Sequence, residues 1–331
     1  MIPNCKLKIK NNITVLIPTI PVTKSWQWEF DQIFWPTISR SQKKICVVRN
    51  SRDLQNAMQN RDDDFAKLEE KFDVIILEQE AIDDLEFLEQ LNPNKFVIVF
   101  DLLTPKKLQL EATRKNFVYI ATSWYWLAHH YNKVNKKIWN IPKKYYLTAK
   151  MKNSSDWKVN LLHQVIKTDV DNLINYNALL HHPLIPNSPK SFESEKGKFG
   201  DVHIGLPILE QMESYSLLCL ETNSDYITEK TWGSLFTKCP TIWHTSPVIK
   251  YLENYNLHIK FNGFDYSYLD LVTEKQRTDQ LAKQIMSMTA DDFVDFYHQN
   301  IKEFEHNHQI MRNIDHWRNI FFPKIQKILE G

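Results

Sequence analysis

Glycine is scarce, with six in 331 residues. No Gly-x-Gly-x-x-Gly turn and no P-loop can be written from them, so neither of these phosphate cradles is available. Cysteine is rare as well. Cys5, Cys46, Cys219 and Cys239 lie far apart and form no Cys-x-x-Cys pair. That excludes the usual zinc spacing and a disulfide framework, and leaves reduced thiols that act as small apolar residues. No stretch approaches the roughly 20 apolar residues of a membrane span. The segment from Met1 to Lys10 lacks the apolar core of a secretory signal. A cytoplasmic protein of a bacterium or a virus-infected host cell is expected. His129-His130, His181-His182 and the pair His306 and His308 have none of the cysteine or carboxylate company of a zinc site, so no metal is expected.

What is present is the composition of a globular chain: 43% hydrophobic and 24% charged residues, with ten tryptophans and a net charge of +1. The length allows two domains of ordinary size. Heavy use of Lys, Asn and Ile fits an AT-rich genome, such as that of a phage, a giant virus or a low-GC bacterium. The charge is uneven. Residues 61–90 hold twelve acids against three bases, and residues 133–158 hold eight lysines against the single acid Asp156. Such asymmetry marks either a polyanion-facing surface or two solvated faces.

Short apolar runs alternate with helical spacing over the first 130 residues. Ile13–Ile17, Lys44–Val48, Asp73–Leu77, Lys95–Phe100 and Phe117–Ala121 read as strands buried on both faces of a parallel sheet. Residues 81–91 and 105–115 read as helices between them. A second set begins with a strand at Tyr145–Ala149, a helix from Asp156 to about Lys167, and a strand at Leu173–Tyr176. Residues 182–200 read as a long loop. Leu209–Leu220, Pro240–Trp243 and His258–Phe261 supply further sheet, and residues 265–329 are mainly helical. The expectation is α/β: two doubly wound, Rossmann-like domains with a helical C-terminal tail. The boundaries are 1–142, 143–312 and 313–331.

The densest cluster of chemistry lies after the Tyr215–Leu220 run: Glu221, Asn223, Ser224, Tyr226, Thr228, Glu229 and Lys230. Thr228 suits the N-cap of a helix running to about Thr237. A strand, a polar turn and a helix start together favour an anion, since N–H groups point out of the helix. Lys230 adds a cation there, and Glu229 an acceptor for sugar or ribose hydroxyls.

This string resembles the donor-binding signature of the α1,3-fucosyltransferase family and its bacterial and viral relatives, in which a Glu-Asn-Ser run precedes Tyr-(Ile/Val)-Thr-Glu-Lys. The resemblance covers residues 215–261. Thr222 interrupts the Glu-Asn-Ser run, and Lys238-Cys239 stands where a glycine is usual, so the resemblance carries the reaction class rather than the sugar. It implies the two-domain glycosyltransferase-B architecture, with the final helix crossing back to the N-terminal domain. It also implies a nucleotide-sugar donor on the C-terminal domain, no cofactor, and inverting, metal-independent transfer.

Lys150 and Lys152, after the Tyr145–Ala149 strand, are further candidates for the diphosphate. Glu221 and Asn223 either hold the turn or touch the donor. Tyr226 either packs on the base or fills the core. The general base is expected among strand-end acids of the first domain: Asp101, Glu78 or Glu80. The acceptor divides into two versions. One is a hydroxymethylated base of phage DNA, with Lys133, Lys136, Lys137, Lys143 and Lys144 forming a phosphate-facing patch at the cleft rim. The other is a surface glycan, as in the fucosyltransferases. From another class comes a non-catalytic, nucleic-acid-binding viral protein with a degenerate glycosyltransferase fold.

Overall fold

The computed structural model of the chain describes residues 5–10, 13–18, 38, 40–49, 70–78, 92, 94–101, 103–121, 141–151, 156–169, 173–178, 209–221, 227–244 and 247–330. The protein is α/β. It divides into two compact units, Met1–Trp126 with Ile314–Gly331, and Leu127–Asn313.

The first unit is built on a six-stranded sheet: β1 (Cys5–Lys10), β2 (Ile13–Pro18), β3 (Ile45–Arg49), β4 (Val74–Glu78), β5 (Phe96–Asp101) and β6 (Phe117–Ala121). Strands β2 to β6 are parallel, and β1 pairs antiparallel with β2. Val74, Ile75, Ile76 and Leu77 are consecutive and all at 0% exposure, so both faces of β4 are covered. Strand order follows sequence order from β1 to β6. Among the described strands the direction never reverses, which corrects the expected double winding of this unit. An apolar run announces a buried strand but says nothing of the order in which strands are laid down.

Strand β1 is an addition. In Cys5–Lys10, Lys6, Lys8 and Lys10 alternate with Leu7 and Ile9, a pattern that suits a charged sheet edge. Helix α1 (Pro105–Thr113) joins β5 to β6, with Thr104 as N-cap and Pro105 in the first turn.

The second unit holds β7 (Tyr145–Met151), helix α2 (Asp156–Thr168), β8 (Ile174–Ala178), α3 (Leu209–Met212), β9 (Ser214–Leu220), α4 (Glu229–Phe236) and β10 (Thr241–His244). The sheet is parallel in the order β10-β9-β7-β8. The chain moves from β7 to β8, returns past β7 to β9, and continues outward to β10. This sheet therefore reverses direction between β7 and β9. Crossovers of opposite direction place α2 and α4 on opposite faces. The packing agrees: α2 pairs with α5 (Glu274–Met286), and α4 with α7 (Ile301–Arg312).

Two strand expectations are corrected here. Leu209–Met212 is a helical turn, and β9 begins at Ser214. His258–Phe261 joins no sheet. Its burial does alternate, with Leu257, Ile259 and Phe261 in the core. Side chains of α7 and its N-cap take the place of a neighbouring strand. Asn307 Oδ1 accepts the His258 N–H at 2.8 Å and its Nδ2 donates to the His258 carbonyl at 2.7 Å. Asn300 Oδ1 does the same for the Asn262 N–H at 2.6 Å. The exposed edge of β10 is closed by tyrosines: Tyr266 donates to the Thr241 carbonyl at 2.8 Å, and Tyr268 to that of Trp243.

The helical tail is as expected. Helices α5 and α6 (Ala290–Gln299) both open with capping boxes, on Thr273 and Thr289. The last helix, α8 (Ile314–Glu330), belongs to the first unit and buries Trp317, Phe321, Ile325, Ile328 and Leu329. Lys43 Nζ donates to the Ile328 carbonyl at 2.7 Å, and Lys324 Nζ reaches Glu111 of α1 at 2.9 Å. A basic side chain on the last carbonyls completes a helix C-terminus. Among the described residues no helix is long and apolar enough to cross a membrane. Cys46, Cys219 and Cys239 are buried free thiols.

Candidate functional site

In an open parallel sheet, ligands favour the crevice outside the carboxyl ends of the strands where the order reverses. Here that point lies between β7 and β9, which pair through Ala149 and Leu218 near those ends. Lys150 is the penultimate residue of β7, and Glu221 directly follows β9. Lys150 and Glu221 therefore stand at the carboxyl ends of the two strands that flank the reversal point.

The centre of the turn is Glu221, which has 0% exposure. Its Oε1 accepts the backbone N–H groups of Thr228 and Thr231 at 3.0 and 3.1 Å, and the Thr231 hydroxyl at 2.5 Å. Its Oε2 accepts the Thr228 hydroxyl at 2.5 Å. Thr228 is the N-cap of α4, and its Oγ1 accepts the Lys230 N–H at 3.3 Å. The Trp232 N–H goes to the Thr228 carbonyl at 3.3 Å. One carboxylate thus fastens the end of β9 to the first turn of α4.

Two expectations change as a result. Glu221 is buried with its carboxylate engaged by the start of α4, which favours holding the turn over touching the donor. The backbone N–H groups of Thr228, Lys230, Thr231 and Trp232 are also engaged within the protein, so these four do not form an anion cradle. The helix start already holds an anion, its own glutamate. Recognition of a ligand then falls to side chains. Lys230 is half-buried, and its Nζ lies 3.5 Å from Thr228 Oγ1. Glu229 is the first residue of α4, but its side chain is outside the described set, as is that of Lys150. Lys152, Asn223, Ser224 and Tyr226 lie outside the described residues.

A second group at the same end of the sheet was not visible in the sequence. His244 closes β10 opposite Leu220. Its ring stacks on Trp157 of α2, with centroids 3.9 Å apart and planes at 10°. Its Nε2 is 2.8 Å from Thr278 Oγ1 of α5. Burial pushes its pKa down to about 3, against a hydrogen bond to its own backbone and with the charges of Arg277 and Lys158 acting in the same direction as burial, so the ring is neutral. A histidine ending a strand in a sequence otherwise read as Pro-Thr-Ile-Trp was the only available signal.

In the first unit, Glu78 and Asp101 end β4 and β5. Glu78 pairs with Phe100, so the two acids stand at neighbouring carboxyl ends, one residue apart in register. Glu80 lies outside the described residues.

Lys143 and Lys144, the two described members of the lysine patch, are not where the DNA version needs them. Lys143 and Lys144 precede β7, at its amino end, and the crevice is at the carboxyl end. Seven residues of strand separate the two, roughly 20 Å. Lys143 Nζ donates to the carbonyls of Met212 and Lys238 at 2.9 and 3.3 Å and lies over the Tyr297 ring. Burial lowers its pKa, with Lys238 acting in the same direction and Cys239 opposing. Lys144 pairs with Glu213 at 2.5 Å. Lys133, Lys136 and Lys137 lie outside the described residues.

The histidines of α7 have local roles. His308 Nδ1 is 2.5 Å from the Phe236 carbonyl, and His306 Nε2 is 2.8 Å from that of Asn256. Among the described residues no group of three or more His, Cys, Asp or Glu is placed to hold a metal ion. The chain matches no family model, no curated protein and no solved structure.

Proposed function

We propose that the chain is a nucleotide-sugar-dependent glycosyltransferase, inverting and metal-independent, that transfers a sugar to a hydroxyl acceptor. The observation that carries this reading is the position of the Glu221–Lys230 segment, at the carboxyl end of β9 beside the point where the second sheet reverses. That position suits a ligand, and the residue string resembles a donor signature.

In this reading the acceptor oxygen bonds to the anomeric carbon as the bond from that carbon to the diphosphate oxygen breaks. The electron pair leaves with the diphosphate, and Lys230 balances its charge. Glu229 holds ribose or sugar hydroxyls. A carboxylate takes the acceptor proton, with Asp101 and Glu78 as candidates. We take the acceptor to be a glycan hydroxyl. The resemblance supplies that choice, and the engagement of Lys143 and Lys144 at the far end of β7 removes support from duplex DNA.

The test is release of nucleoside diphosphate from a panel of nucleotide sugars, with and without acceptor glycans. The expected result is release from one donor that depends on Lys230. No release from any donor would remove the reading in favour of a non-catalytic protein of the same fold.

A further inference from the structure

We draw no further inference here: the strongest candidate, the buried side-chain cluster of Arg277, Thr278 and His244 where α5 packs on the end of β10, carries nothing, because Arg277 donates to the carbonyls of Leu271 and Val272, the His244 ring is held by Trp157 and Thr278, and nothing in the structure shows a ligand reaching them.

Discussion

Replacing Glu221 by alanine should cost the second unit about 4 kcal/mol. The carboxylate accepts two backbone N–H groups and two hydroxyls, all within 3.1 Å, at a site with no exposure. Hydroxyls rotate to other partners, and Thr228 can still cap α4. The N–H groups of Thr228 and Thr231 cannot turn away, and each buried orphan costs roughly 1–3 kcal/mol. Glu221→Gln keeps an oxygen for both N–H groups and should lose only about 1 kcal/mol. The assay is urea unfolding followed by tryptophan fluorescence, since Trp232 in α4 is fully buried. The midpoint should fall with the slope unchanged, and melting should fall by about 10 °C in the alanine variant, at roughly 2–4 °C per kcal/mol. A loss below about 1 kcal/mol for Glu221→Ala, or equal losses for both variants, would refute the clasp.

Other outcomes follow from the same structure. Glu229→Gln should impair transfer without altering stability, and wild-type turnover in that variant would count against its role. His244 and His308 are held by burial at pKa values of about 3 and about 4, below the ordinary 6.5. The unfolded chain binds protons at both rings first, so this stability is complete above pH 6.5 and is lost as pH falls. Two rings contribute a fall of about 3 kcal/mol between pH 6.5 and pH 5. His308→Gln should halve that fall in pH-dependent unfolding, and an unchanged slope would contradict the burial argument. Lys143→Ala should destabilise the second unit, because its ammonium ties Met212 to Lys238. Duplex DNA should bind no more tightly than to a protein without a nucleic-acid site, and a steep loss of affinity with salt would restore the DNA acceptor. Transfer should continue in excess chelator, and activity that needs manganese or magnesium would contradict the assigned role of Lys230.

Much of the fold was legible in the sequence. The strands β2 to β6 were marked by apolar runs, because a strand buried on both faces leaves no room for polar residues. Thr228 marked the start of α4 to the residue, because capping is local chemistry. Whatever depended on partners far away in sequence was not legible. His258–Phe261 has the alternation of a strand, but its backbone pairs with Asn307. Glu221 read equally well as a ligand contact or a turn residue until its four donors could be named. Strand order left no trace in periodicity, so the one-directional first sheet and the reversal between β7 and β9 came only from the structure. His244 stayed hidden because its neighbours Trp157 and Thr278 lie 87 residues before it and 34 after it.

The central claim is that the turn between β9 and α4 holds a nucleotide sugar through Lys230. Differential melting of the wild type and Lys230→Ala, with nucleoside diphosphates and their sugars, tests it most directly. A ligand at a hundred times its Kd raises native stability by about 2.7 kcal/mol. The account predicts a rise in Tm of several degrees for the wild type with one nucleotide, little or none for Lys230→Ala, and equal melting of the two free proteins. No rise with any nucleotide, or the same rise in both proteins, would contradict it.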